Sequence, residues 1–356
     1  MIWPGFSEMD CAGCLISRLY NFFGVAVARY VPSHLLSEPH VVVDGSASPS
    51  TALTLSHWPG SASPEAFLAD LSASMAFKAL HEIVSGRFEL PSEIITNNHY
   101  DEDGLVSVFA LVHPEEALAM EAMLLDIASA GDFGVFRDRD AARVSFVLNA
   151  WACPDLSPLN NNVFKKGSDF VTAVLYEELL FRLPKLISKI DHFHSYWQEE
   201  DTFLSDTEQA FGQGLLSFSE DPHRDLMIVR VDEGFQGRRN PELSSSWVSK
   251  VLHPFFVHNQ SNLMRILVIK GSRRELYFRY ETWVQYQSRV LCPRLDLSDL
   301  ASRLNLSEKS GRWRFNGTNE IIARLYLDED LNRSGSSIPE DLFLRELFEA
   351  IDFDQS

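Results

Sequence analysis

Three side chains able to bind a cation, His99, Asp101 and Asp103, stand at alternate positions between the apolar pair Ile94-Ile95 and Gly104. In an extended chain, residues two apart face the same side, so these three can converge on one point. Gly104 then relieves the backbone where the chain must turn, and Leu105, Val106, Val108, Phe109 and Leu111 read as the buried face of a helix. A strand that ends in carboxylates above a helix is how an open α/β sheet builds a site at its carboxyl edge.

A plainer reading is available. Asp and Asn cap helix N-termini, accepting from orphan N–H groups and complementing the positive end of the dipole. One cap needs one acid, however, and two acids with a histidine in phase exceed that need, which favours a hard divalent cation. A calcium loop of the EF-hand kind is excluded, because counting from Asp101 its obligatory sixth-position glycine is Val106.

The surrounding rhythm supports a layered α/β fold. Val41-Val42-Val43 closed by Asp44-Gly45 suits a buried parallel strand, and Leu53-Thr54-Leu55 suits a second, ending at Ser56-His57-Trp58-Pro59-Gly60. Ser63-Pro64-Glu65 opens a helix with Phe67, Leu68, Leu71, Met75 and Leu80 on its apolar face. A further helix from Glu115 to about Ala130 stops at Gly131-Asp132-Phe133-Gly134. We therefore expect a doubly wound, mainly parallel sheet over 31–165, a helical connector over 166–215 in which Pro184 kinks or breaks a helix, and a smaller α+β domain over 216–327. Residues 1–30 read as an extension and 328–356 as an acidic tail with a linker and a short docking helix. Within that tail, Asp330, Asn332 and Ser334 imitate half a calcium loop, but Asp341 is a poor twelfth ligand.

The formal net charge of −19 disfavours a long nucleic acid as partner. Cys11, Cys14, Cys153 and Cys292 are too few and scattered for a disulfide framework, and the lone C-x-x-C has no second half at zinc spacing. Reduced thiols and the lack of an export signal suggest the cytoplasm. Arg18 and Arg29 interrupt the apolar N-terminal stretch, so no membrane span is expected. Oligomeric state is open, a homodimer being one option.

Between Val251 and Arg324 there are ten Arg and two Lys against two Asp and four Glu, although the whole chain is acidic. Arginine forks match phosphate oxygens, so Arg279, Arg289 and Arg294 are candidates for binding a small phosphorylated substrate, and Trp283 or Trp313 for stacking on a base. The alternative is that these arginines pair with the acids of the other domain and hold the two together. In the strand around Leu276-Tyr-Phe-Arg-Tyr280, alternation predicts one buried face and one available face. Arg137-Asp-Arg-Asp140 with Arg143 reads as an ion-paired surface more readily than as a phosphate clamp.

The string from His99 to Ser107 resembles the first motif of the DHH phosphoesterase superfamily, in particular its RecJ-type nuclease branch, where an aspartate pair before glycine holds manganese. The phrases Leu-Ser-His-Trp-Pro-Gly and Ala-Gly-Asp-Phe also resemble an uncharacterised bacterial family. The first resemblance implies that Asp101 and Asp103 are direct ligands of a divalent metal, Mn2+ or Mg2+, with His99 a ligand or its partner. Asp132 then adds a carboxylate that could bridge two metals. The superfamily's Asp-His-His triplet is absent downstream; His57, with Asp44 upstream of it, is the plausible replacement, as a ligand or general acid. The implied activity is metal-dependent hydrolysis of a small phosphate ester, a nucleotide or short oligonucleotide. The rival is a regulatory protein that binds a metal or ligand on the same scaffold without turnover. A third reading, a metal-dependent hydrolase of non-phosphate substrates, needs no arginine-rich domain. The chain has no P-loop, G-x-G-x-x-G after a strand, G-x-S-x-G or H-E-x-x-H, so nucleotide-triphosphate, dinucleotide, serine-hydrolase and zincin chemistry have no motif to rest on.

Overall fold

Two sheets organise residues 28–238, 246–328 and 335–354, the parts of the chain described by this computed structural model. The first sheet is wholly parallel, in the order β1-β4-β2-β3, built from β1 (Arg29–Tyr30), β2 (His40–Val43), β3 (Thr51–Leu55) and β4 (Ile94–Thr96). Helix α1 (Ser72–Val84) makes the crossover from β3 to β4, later than Ser63-Pro64 suggests, because the residues there form only a 3-10 turn at Glu65–Phe67. A mixed α/β protein with a parallel sheet is what the strand–helix alternation predicts. The helix that full double winding calls for between β2 and β3 is replaced by the loop 44–50, since the usual helical crossover needs a dozen or more residues. Along β2 the two faces diverge: Val41 and Val43 enter the main hydrophobic core, whereas His40 and Val42 line an open cavity of about 620 Å³.

Helices then follow in a run: α2 (Glu102–Val112), α3 (Pro114–Ala119), α4 (Glu121–Phe133), α5 (Arg139–Ala152), α6 (Ser168–Ser188) and α7 (His194–Gly212). The single helix expected over 115–130 is therefore two. Helix α4 runs past the expected end near Ala130, through Gly131 and Asp132 to Phe133, and is capped by Gly134 in the left-handed region at φ 64°. Helix α6 carries Pro184 in its interior and continues to Ser188, so the proline does not end it.

The second sheet, in the order β5-β6-β7-β8-β10-β9, comprises β5 (Leu216–Asp221), β6 (Leu226–Val231), β7 (Arg265–Lys270), β8 (Arg273–Phe278), β9 (Arg312–Phe315) and β10 (Arg324–Asp328). Only β6 and β7 pair in parallel. Helices α8 (Trp247–Val251) and α9 (Pro254–Gln260) precede β7, α10 (Ser298–Asn305) precedes β9, and α11 (Glu340–Asp354) closes the chain. Both faces of its central strands β6, β7 and β8 are largely buried, contrary to the expectation of an available face on β8. Met227, Val229, Ile266, Val268 and Tyr277 join the core that includes Phe109 and Leu204. Leu276 and Phe278 meet Leu300, Phe343 and Leu347 of α10 and α11 in a second core. The boundary expected at 216 thus crosses continuous apolar packing.

The C-x-x-C cysteines and the half calcium loop at 330–334 lie outside the described residues. No described helix is long and apolar enough to cross a membrane.

Candidate metal centre

Three of the four strands of the parallel sheet are followed by polar side chains at their carboxyl ends. Asp44 follows β2, His57 lies just beyond β3, and Asn97, His99 and Asp101 follow β4. Because β2 lies between β4 and β3, Asp44 is flanked by the other two sets. Its backbone adopts φ 45°, uncommon for a residue with a side chain. Asn97 fixes the neighbourhood: its Nδ2 donates to the Asp44 carbonyl at 2.9 Å, and its Oδ1 accepts from the His99 N–H at 2.8 Å.

Ligand-type atoms of Asp44, His99 and Asp101 lie within 4.8 Å of one another, as do those of Asp44, His57 and Asp103. The two groups share Asp44. His99 Nε2 is 2.7 Å from Asp101 Oδ2 and 3.3 Å from Asp44 Oδ2. His57 Nε2 is 3.4 Å from Asp44 Oδ1, 3.4 Å from Asp132 Oδ2 and 3.8 Å from Asp103 Oδ2. The tautomer of His57 follows from its other nitrogen. Nδ1 lies 2.6 Å from the Asp70 carbonyl oxygen, which can only accept, so Nδ1 carries the proton. Its Nε2 faces three carboxylates, an arrangement suited to a positive charge between them, either a second proton on the ring or a bound cation.

The acids also serve the helices. Asp101 is the N-cap of α2, accepting from the Gly104 N–H at 2.8 Å. Asp103 accepts the N–H groups of Ser72 and Ala73, each at 2.8 Å, and so caps α1, whose own preceding residue Leu71 makes no side-chain cap. Capping and cation binding are compatible, because each carboxylate oxygen has a second lone pair. Gly104 is required for close approach: a Cβ there would sit 2.6 Å from the Tyr176 hydroxyl and 2.4 Å from Asn97 Nδ2. Its φ is not positive, so the backbone relief expected from the sequence is not its role.

Electrostatic strain in the cluster is large. Burial alone raises Asp44, but the neighbouring His99, then His57 and the Ser72 hydroxyl, bring its carboxyl down to about 2. Burial disfavours charge on His99, yet Asp101 and Asp44 carry its imidazole up to about 11. Asp101 is raised by burial and by Asp44. Asp103 and Asp132 lie well above the carboxylate range, through burial first and the neighbouring acids second. Glu102, held by Ser145 Oγ at 2.6 Å and Asn149 Nδ2 at 2.5 Å, is pushed by burial up to about 7. Asp44 Oδ2 and Asp132 Oδ2 are buried without a hydrogen bond. Asp132 also lies in the last turn of α4, where the helix dipole opposes a negative charge. The donor set, carboxylate oxygens and imidazole nitrogen, is one that could hold a metal ion.

A family model matches residues 26–355. The chain belongs to DUF6687, a family of unknown function. No curated protein and no solved structure matches it.

In this DUF6687 chain, the expected residues His57, His99, Asp101, Asp103 and Asp132 meet at one place. Asp44, which the sequence suggests only as a companion of His57, is the shared centre, and its signal was an acid directly after a β-branched strand. Ser72, Glu102 and Tyr280 carried no local signal. The arginines are placed differently from expectation. Arg279 donates to the Ser261 carbonyl at 2.7 Å and to Glu281, and Arg294 donates to Thr282 Oγ1 at 2.7 Å and to the carbonyls of Thr318, Glu320 and Ile321. Arg289 donates to the Asn262 carbonyl at 2.5 Å. These contacts brace loops, so the forks of Arg279 and Arg294 are closed to a phosphate. Trp283 does reach the site's rim, 5.5 Å from Trp58, whose ring lies 4.8 Å from His99. Trp313 instead stacks on Phe343 in the second core. Arg139 and Arg143 pair with Asp201 at 2.7 and 3.2 Å, the ion-paired reading of that segment.

Proposed function

We propose that this protein is a divalent-cation-dependent phosphoesterase acting on a small phosphate ester, a nucleotide or short oligonucleotide, with Mn2+ as the preferred ion and Mg2+ as a substitute. The observation that carries the reading is Asp44, one carboxylate common to two sets of three ligand-type side chains. Bound there, cations would acidify a water and neutralise charge developing on phosphoryl oxygens. The chain's own part is to hold the ligands in place. Asp70 fixes the His57 tautomer, Asn97 orients the strand ends, and the two helix N-termini hold Asp101 and Asp103. The resemblance of the His99–Ser107 string to the DHH motif points the same way, with Asp44 and His57 in place of the missing triplet. With Arg279 and Arg294 engaged elsewhere, compensation of substrate charge falls to the cations.

The test is calorimetric titration with MnCl2 beside hydrolysis of a nucleotide panel. Wild-type protein is expected to bind about two Mn2+ and to turn over at least one nucleotide, the two-ion clamp being the arrangement suited to in-line displacement. Asp101→Ala/Asp103→Ala is expected to lose both. Hydrolysis at the wild-type rate in that double variant removes the assignment. The helix-capping duty of both acids favours a second reading, a cation-binding protein without turnover, which predicts Mn2+ uptake and a higher Tm but no hydrolysis of any panel member.

A further inference from the structure

The turn after β8 brings a phenol from the second sheet into the acidic centre of the first. Tyr280 Oη lies 3.5 Å from His57 Nε2, long for a hydrogen bond, so the hydroxyl is aimed at the cluster without being tightly held by it. Its ring is fixed on three sides, edge-on to His57 with centroids 5.9 Å apart, 6.2 Å from Phe133 and stacked on Trp283 at 5.7 Å. The backbone beneath it is fixed too. Arg279 ties the turn to Ser261, Thr282 Oγ1 donates to the Arg279 carbonyl at 2.6 Å, and Arg294 donates to that same Oγ1. The following residues clamp onto the first sheet: the Gln285 N–H donates to the His57 carbonyl at 2.7 Å, and the N–H groups of Gln287 and Ser288 donate to Asp70 at 2.6 and 2.8 Å. Two of the arginines that sequence suggests for phosphate thus support the turn that presents Tyr280.

We propose that Tyr280 is a substrate-contacting residue, whose hydroxyl donates a hydrogen bond to a phosphoryl oxygen held at the Asp44-centred site. The inference rests on the cation-dependent reading above. Once a cation occupies His57 Nε2, that lone pair no longer accepts from Tyr280. The other groups around the phenol are carboxylates that would be engaged in ligation, and the Ser72 hydroxyl already donates to Asp44 at 2.8 Å. Tyr280 is then a neutral donor positioned where an anionic oxygen arrives. Burial, followed by Asp132, Asp44, Asp101 and Asp103, keeps the phenol protonated at all ordinary pH, so it acts as a fixed donor with no titration.

The test is Tyr280→Phe, which deletes the hydroxyl and keeps the ring. In full-length protein, Mn2+ affinity and stoichiometry are measured first by calorimetry, and inorganic phosphate is then titrated into the Mn2+-loaded sample. The expected result is unchanged Mn2+ binding and phosphate binding weakened roughly tenfold to a hundredfold, the worth of one hydrogen bond to a charged group. Phosphate affinity equal in the two proteins, or no phosphate binding by Mn2+-loaded wild-type protein, overturns the role of Tyr280 and leaves the cation site standing. A loss of Mn2+ affinity with phosphate affinity kept overturns it in favour of a residue that merely holds His57. Failure of wild-type protein to bind Mn2+ overturns the underlying cation reading together with this one.

Discussion

Arg279 and Glu281 are each 2% exposed, and Asp44 and Asp103 are each 0% exposed, yet the two pairs handle burial in opposite ways. In the turn after β8 a cation meets an anion, and carbonyls of Ser261 and His258 take further guanidinium N–H groups. At the edge of the first sheet, four aspartates crowd around two imidazoles; each region leaves buried polar atoms without a hydrogen bond, Arg279 Nε and Glu281 Oε2 in the turn and Asp44 Oδ2 and Asp132 Oδ2 here, so what differs is the balance of charge. Buried ionic groups are tolerated when paired and very costly when not. The second sheet therefore shows charge arranged for integrity. The first leaves an excess of carboxylates around two imidazoles, a cluster that could hold a metal ion.

The sharpest way to break this contrast is to remove one partner on each side and compare unfolding without metal. Arg279→Met leaves Glu281 buried without its cation, and a loss of about 3–5 kcal/mol in denaturant unfolding is expected, as for other broken buried pairs. Mn2+ stoichiometry should be kept, because the arginine touches no ligand. A loss below about 1 kcal/mol would mean that the pair is not what holds the turn.

His258 tests how the two regions are joined. Its Nδ1 donates to the Phe133 carbonyl at 2.7 Å, next to Asp132, and its Nε2 accepts from the Tyr277 hydroxyl at 3.0 Å, so one neutral ring links α4 to β8. Burial, then the charge of Arg279, depresses its pKa from 6.5 to about 3. Below pH 6.5 the unfolded chain takes up a proton that the folded chain refuses. The stabilisation is therefore complete above 6.5 and declines as the pH falls toward 3, at up to about 1.4 kcal/mol per pH unit. Unfolding midpoints measured from pH 7 to pH 4.5 should show this slope in wild-type protein and a shallower one in His258→Asn. Parallel slopes in the two proteins would place the acid sensitivity elsewhere.

The smallest effect has the opposite sign. In metal-free protein, Asp132→Asn removes an acid whose charge is disfavoured by burial, by the neighbouring acids and by the carboxyl end of α4, and should raise stability by about 0.3–1 kcal/mol, the scale of the helix-dipole conflict alone. The same variant should bind Mn2+ more weakly. Destabilisation of the metal-free form by this substitution would falsify the claim that the cluster is short of positive charge.

Much of the site can be read from short stretches. His99, Asp101 and Asp103 declare themselves by spacing and His57 by following a strand, whereas Asp132, expected just past a helix end, lies within the last turn of α4. Arg279 and Arg294 mislead, because composition reports how many guanidinium groups a region holds and says nothing of which carbonyls will face them. Tyr280 is invisible from the chain for a related reason: 223 residues separate it from His57. Local pattern carries no information about contacts at that range.

Period and residue type alone determined strands β2, β3 and β4, the helix that follows β4 and the acids at the strand ends, since hydrophobic alternation and capping act over a few neighbouring residues. Tertiary structure decided that β2 lies between β4 and β3, that Asp44 is consequently shared, and that Asp103 caps a helix beginning 31 residues before it. Those outcomes depend on sheet order and on the competition of buried charges for few partners. Both are settled only when distant segments come together.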